Sequence, residues 1–303
     1  MPLQHFVGIK GKFVVVGYEP DGDSVRFIAD NPSAFDSIYR SHLIRFGKND
    51  NSVQLRFDGI DAPELHYGAA KQPLGATARD RLLKMMGFTG VQYTGTKATS
   101  SKPAGGVRGA ILTAIVETHG RPVSYALSSA DASFNDGDVV DVDGALLSKT
   151  FNYRMAASGD AYPLLYTSTP KPHRVQMRQA AAAARSANKG VWADDASASF
   201  TLIDETSISP PNGQLIFPKL FRRCTDYLKE VAKTGFSGNV TEWMQSHATD
   251  SRQENDQVLT GTLDEGNPSA PRPVQVAFSQ LILQENATIS FQPDLLDVVF
   301  VEK

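Results

Sequence analysis

Apolar and polar positions alternate in several short stretches near the start of the chain. Lys12–Gly17 is brief and β-branched. Ser24–Ala29 places Val25, Phe27 and Ala29 on one face. Ser52–Asp58 places Val53, Leu55 and Phe57 on one face and Gln54 and Arg56 on the other. Each predicts a strand. Val91–Tyr93 and Arg108–Val116 predict two more, with a turn at Gly120-Arg121-Pro122. The period becomes helical in Gly75–Met86, where Ala78, Leu82, Met85 and Met86 share a side. It does so again in Arg174–Asn188, which is built from strong helix formers. Gly190 stands where that helix should stop, and Trp192 is expected to pack back on the strands. Strands with a helix between them, closed by later helices, predict a five-stranded, OB-fold-like β-barrel with packed α-helices.

The pattern changes after about residue 195. Pro210-Pro211-Asn212-Gly213 sits in a polar stretch that reads as a linker or loop. Phe217–Lys233 is an amphipathic helix with Leu220, Phe221, Cys224, Leu228 and Val231 at helical spacing. That spacing turns Arg222 and Arg223 toward solvent and buries Cys224 as a small apolar residue. A short helix at Thr241–His247, a loop over Asp250–Pro273 and strands at Val274–Leu283, Thr288–Gln292 and Leu295–Val301 complete the reading. The expected organisation is a barrel domain over residues 1–195 and a smaller α+β C-terminal domain over 196–303, of unknown role.

Composition adds limits. The 303 residues are 41% apolar and 21% charged, as in an ordinary globular chain. A single cysteine excludes an internal disulfide framework. No apolar run approaches the roughly 20 residues that span a membrane. The N-terminus, Met1-Pro2-Leu3-Gln4-His5, does not read as a secretory signal. The expected location is therefore cytoplasmic, or outside the cell if a signal has been removed. Residues 1–195 carry 22 Lys+Arg against 19 Asp+Glu, and residues 196–303 carry 8 against 14. The acidic second part is thus a poor grip for nucleic acid and a candidate surface for a protein partner. No P-loop, H-E-x-x-H motif or cysteine quartet supports ATPase, zinc-protease or zinc-ribbon chemistry.

Two acidic phrases and two arginines carry the chemistry. They are Asp21-Gly22-Asp23-Ser24, Arg56 to Glu64, and Val107-Arg108-Gly109. Ca²⁺ takes oxygen ligands in tolerant geometry, and Asp23, Asp61 and the Ala62 carbonyl can supply them. Such an ion polarises a phosphate and offsets charge formed during attack. Glu64, three residues past Asp61, can hold a water and accept its proton. Arg56 and Arg108 carry planar forks suited to phosphoryl oxygens. Taken alone, Asp21-Gly22-Asp23 also suits a hairpin turn, and Asp61 to Glu64 a helix cap.

The ordered set resembles the staphylococcal nuclease (thermonuclease) family over residues 7–195. It comprises the DGD-S/T step, the R-x-x-x-I-D-x-P-E block, the R-G-x-L/I segment beginning 44 residues after Glu64, and a late helix ending at Trp192. The resemblance implies Asp23, Asp61 and Ala62 as Ca²⁺ ligands and Arg56, Glu64 and Arg108 as the catalytic trio. It implies a Ca²⁺-dependent nuclease that hydrolyses single-stranded or flexible DNA or RNA to 3′-phosphate and 5′-hydroxyl ends. Extra residues lie around 31–51 and 130–157. The family's lysine and tyrosine before the second arginine are replaced by Gly105, Gly106 and Val107, leaving Lys102 as the nearest substitute. Tyr166 falls where the family contacts its nucleotide. The alternative is a non-catalytic nucleic-acid or protein-binding module, as in most repeats of the Tudor-containing staphylococcal nuclease proteins. His66 lacks a second histidine at ligand spacing, and His173 reads as a polar residue opening the last helix.

Overall fold

The computed structural model describes residues 5–247, 256–264, 267, 269 and 272–302. The first half of the chain forms β1 (Phe6–Val14), β2 (Arg26–Ala29), β3 (Val53–Gln54), β4 (Arg56–Phe57), β5 (Gly59–Asp61), α1 (Gly75–Met86), the hairpin β6 (Thr89–Thr94) and β7 (Lys97–Lys102), then β8 (Val107–Val116) and β9 (Pro122–Ser128). β1 lies between β2 and β8, both antiparallel to it. The sheet order is β3-β2-β1-β8-β9-β4. Only Leu55 separates β3 from β4, so the two ends of the sheet meet in one stretch of chain, and the sheet curls into a nearly closed barrel.

Alternation fills the barrel. Ile9 and Phe13 of β1 are fully buried, while Lys10 and Lys12 between them are not. Val53, Leu55 and Phe57 line the same core, joined by Phe27, Ile111, Leu112 and Leu127. Phe13 packs on Phe27 at 5.2 Å between ring centroids. α1 occupies the residues its periodicity predicts and turns Ala78, Leu82 and Leu83 inward.

The extra residues of the sequence have distinct fates. The first segment forms 3-10 turns at Pro32–Ser37 and Ser41–Leu43. The second supplies β10 (Val139–Val140), which adds to β1, and the helices α2 (Gly144–Lys149) and α3 (Phe151–Ser158). α3 drives Phe151 and Met155 into the barrel core. β11 (Tyr162–Tyr166), α4 (Lys171–Ser186) and the short α5 (Val191–Asp194) follow. β9 and β11 have no counterpart in the sequence reading, because their nearly unbroken burial erases the alternation that marks a strand.

A second core joins residues on both sides of position 195. The later chain forms β12 (Phe200–Thr201), α6 (Pro218–Thr234), α7 (Val240–Ser246), β13 (Gln257–Thr260), β14 (Val274–Ala277), β15 (Ile282–Glu285), β16 (Thr288–Phe291) and β17 (Val299–Phe300). β11 pairs antiparallel with β5 on one edge and parallel with β17 on the other. Tyr162 packs edge-on against Trp192 at 5.3 Å and against Phe217 at 5.8 Å. Trp192 therefore belongs to this second core and not to the barrel interior. Ile208, in the stretch read as a linker, is fully buried there too.

Three readings in the later chain need correction. β13 lies inside the expected loop, pairing with β14 and β17, while residues 250–255, 265, 266, 268, 270 and 271 of that loop lie outside the described residues. The expected strand Val274–Leu283 is broken by a turn at Phe278–Leu281, where Phe278 is drawn into the core. Leu295–Val301 begins as a turn, capped where the Asp294 side chain accepts from the Leu296 amide at 2.8 Å. His173 is likewise no exposed helix end. Its Nε2 lies 2.6 Å from the Val142 carbonyl and its Nδ1 3.1 Å from the Tyr125 hydroxyl, in a buried setting.

Two expectations follow from this packing. Phe221, Trp243, Phe278 and Phe300 are all essentially inaccessible. At about 1.5–3 kcal/mol each they supply about 6–12 kcal/mol, the scale of a whole domain's net stability. A chain ending at Asp195 is expected to lose its cooperative thermal transition, measured by circular dichroism against the full chain. His173 gives the second. Burial holds its pKa below the ordinary 6.5, against a Val142 hydrogen bond and the charges of Asp58 and Asp141 that pull it back up. The unfolded chain therefore binds the proton more readily, and stability falls as pH drops below 6.5. His173→Gln should flatten that acid limb in urea unfolding at pH values above and below it.

Candidate active site

The DGD step and the D-A-P-E block meet at one end of the barrel. Asp21 turns the chain: its amide donates to the Ser24 carbonyl at 2.9 Å, and its side chain accepts from the Gly22 amide at 2.7 Å. Gly22 is required by the close approach, since a Cβ there would lie 2.5 Å from the Ala62 methyl and 2.9 Å from that of Ala78 in α1. Asp23 then faces the second phrase, accepting from the Ala62 amide at 3.3 Å. The Phe57 amide donates to the Asp23 carbonyl at 3.0 Å and fixes this turn against β4.

β5 ends at Asp61, held in register opposite Tyr162 of β11. The chain then leaves the sheet through Ala62 and Pro63 to Glu64. The Gln72 amide donates to the Glu64 carbonyl at 2.8 Å, and the Gln72 side chain accepts from the Glu64 amide at 3.1 Å. Gly75 opens α1 directly over this peptide, where a Cβ would come within 2.6 Å of the Glu64 carbonyl oxygen. Backbone pairing thus fixes Asp61 and Glu64 before either side chain finds a partner.

Four carboxylates are crowded here and the field reflects it. Burial, then the neighbouring Asp61 and Glu64, push the Asp23 carboxyl up to about 7. Burial followed by Asp23 and Glu64 raises Asp21 well above the carboxylate range. Burial also raises Glu64, although Arg222 draws it part of the way back. Arg56 emerges from β4 on the face away from the core, as its alternation predicts. Its Nη2 donates to the Tyr166 hydroxyl at 2.8 Å, and the guanidinium lies 5.0 Å from the Tyr166 ring centre while also facing Asp61. Burial alone would push the Tyr166 hydroxyl up, but Arg56 and Lys219 together hold it below its ordinary 10.0.

The structure brings Asp23, Asp61, Ala62, Glu64, Arg56 and Tyr166 to this end of the barrel. It does not bring Arg108 or Lys102. Arg108 grips Asp30 through both nitrogens, with Nη1 to Oδ1 at 2.6 Å, in an exposed pair. Asp30 lies seven residues beyond Asp23, about 20 Å along extended chain, so Arg108 works at the other end of β2. Lys102 ends β7, exposed and opposite Thr89 in the hairpin. The Ala62 amide, for its part, donates to Asp23.

At this site sequence reasoning misplaced Arg222. From α6 its Nη1 and Nη2 reach Asp61 Oδ1 and Oδ2 at 3.1 and 2.8 Å, and Nη1 also bonds Glu64 Oε1. Arg223, also expected in solvent, donates instead to buried Asp256 at 2.8 Å. Arg222 stands opposite the apolar stripe of its helix, and periodicity alone sends it to water. α6 is covered on that side as well, by the segment that carries Glu64. The Tyr67 hydroxyl donates to Asp226 at 2.6 Å, and the Gln72 side chain to the Ile216 carbonyl at 2.6 Å.

This arrangement bears on the ion that the resemblance implies. Both Asp61 oxygens and one Glu64 oxygen face a guanidinium. Among the described residues no three His, Cys, Asp or Glu side chains form a group that could hold a metal ion. As arranged, the donor set does not fit Ca²⁺. No helix among the described residues is long and apolar enough to cross a membrane. Neither family models nor curated proteins match this chain, so the reading of the site rests on its own residues.

Proposed function

We propose that this chain is a phosphodiesterase acting on single-stranded or flexible DNA or RNA and leaving 3′-phosphate and 5′-hydroxyl ends. One observation carries the reading: two separate segments converge to crowd Asp21, Asp23, Asp61 and Glu64 together at one end of the barrel, with the Arg56 guanidinium facing Asp61. In this reading Glu64, whose pKa is raised by burial, takes the proton from an attacking water. Arg56, held by Tyr166, offers its free nitrogens to the phosphoryl oxygens, where negative charge grows as the bond forms. Strand order supports the finer fold assignment. Counting Val53–Phe57 as one strand and β10 as an edge addition leaves five strands around the barrel, as in an OB-type fold.

A second reading is a barrel that binds nucleic acid or protein without cutting. It is favoured by the Arg108–Asp30 pair, which takes the second expected guanidinium away from the carboxylates.

Cleavage of single-stranded DNA and RNA, assayed with Ca²⁺, with Mg²⁺ and with EDTA, separates the two. The expected outcome is hydrolysis by the native chain and a loss of about 10²–10⁴-fold in Glu64→Gln. Arg56→Lys, which keeps the charge but not the fork, should lose at least about tenfold. Both variants should keep the native circular dichroism spectrum. Undiminished hydrolysis in Glu64→Gln removes Glu64 as the base. Retained binding with no hydrolysis in the native chain selects the non-catalytic reading.

A further inference from the structure

We propose that Arg222 is the resident cation of the carboxylate cleft, supplied by α6 in the place where the resemblance to the nuclease family expects a divalent ion. Only the identity of the displaced ion rests on the phosphodiesterase reading. A Ca²⁺ ligated by Asp61 would stand about 2.3–2.6 Å from its oxygens. The Arg222 nitrogens already stand 2.8 and 3.1 Å from those two oxygens, and one of them also bonds Glu64. An ion at that distance from the Asp61 oxygens would crowd the guanidinium and meet its positive charge, so the two compete for one place.

Arg222 is not a loose side chain that an ion could push aside cheaply. The flanking Leu220, Phe221 and Cys224 are fully buried in the second core. Arg223 and Lys219 both pair with Asp256, at 2.8 and 3.2 Å, one turn of helix away from each other. The Tyr67–Asp226 hydrogen bond ties the next turn to the loop after Glu64. Withdrawing the guanidinium means rotating or lifting α6, or leaving Arg222 charged and unpaired in a largely covered position. The side chain is 21% exposed, against 6% for Asp61 and 14% for Glu64, so water reaches the triad from the arginine's side. A substitution at Arg222 should therefore open the cleft to a small ion without removing any of its oxygen donors.

The test is calorimetric titration of Ca²⁺ into the full, substrate-free chain, with thermal melts in Ca²⁺ and in EDTA. The native chain is expected to bind no Ca²⁺ at this cleft and to melt at the same temperature in both. Arg222→Ala is expected to bind one Ca²⁺ per chain and to melt higher in Ca²⁺, and Asp61→Asn added to it should abolish that binding. Arg222→Lys is expected to fold and to gain Ca²⁺ binding, because a single ammonium cannot span Asp61 and Glu64 as a fork does. It decides the matter if Arg222→Ala does not fold. Native Ca²⁺ binding abolished by Asp61→Asn overturns the proposal, as does a folded Arg222→Lys that binds none. Hydrolysis is measured separately: a native chain that binds no Ca²⁺ and cuts no nucleic acid defeats the phosphodiesterase reading and leaves this one standing.

Discussion

Buried carboxylates cost several kcal/mol each unless positive charge and hydrogen bonds accompany them. The wall between the barrel and α6 contains Asp61 and Glu64, and Arg222 answers both at once. The same helix answers Asp256 with Lys219 and Arg223. Charge compensation thus fixes both the rotation of α6 about its axis and its height along the barrel. Apolar burial alone would not do so, since a stripe of Leu220, Phe221 and Cys224 tolerates sliding that a bidentate guanidinium does not. The arrangement explains how a net acidic C-terminal region rests against an acidic cleft: its few cations are concentrated on the helix that touches it.

The barrel provides the rigid counterpart. Its seam is the single stretch from Val53 to Phe57, which pairs with β2 at one end and β9 at the other. Arg56 leaves that seam outward, and β5 continues from it to Asp61. Tyr166 reaches Arg56 from β11, whose other end is paired with Asp61. The cleft is therefore framed by strands on two sides and by a helix on the third, between the two cores. Gly22 and Gly75 allow the backbones to come close enough for the acidic phrases to share a field.

Local patterns made much of this legible in advance. Helix α1 is set by periodicity and glycine chemistry within its own residues, and Arg56 is turned outward by alternation within one strand. The D-A-P-E block is stiffened by its proline and lies directly after a strand. What sequence patterns did not reveal depends on partners far along the chain. Arg222 finds Glu64 across 158 positions, and a helical wheel assigned it to water because it cannot register a second covered face. His173 looked like a helix end and proved buried because Tyr125 and Val142 enclose it. Arg108 was catalytic only by the resemblance, and in the structure it pairs with Asp30, across two strands. Strands β9 and β11 were hidden because they are buried on both faces.

The pairing of β11 with β17 imposes an order of events during synthesis. Tyr166 and Phe300 are partners, and 134 residues separate them. At about 5–20 residues per second, a ribosome needs about 7–27 s to deliver the second after the first. For that interval the nascent barrel carries an open strand edge, the kind of surface that templates association with other chains. The apolar face formed by Tyr162, Leu164 and Trp192 waits uncovered beside it. Translation speed between residues 166 and 300 therefore sets how long that edge stays open.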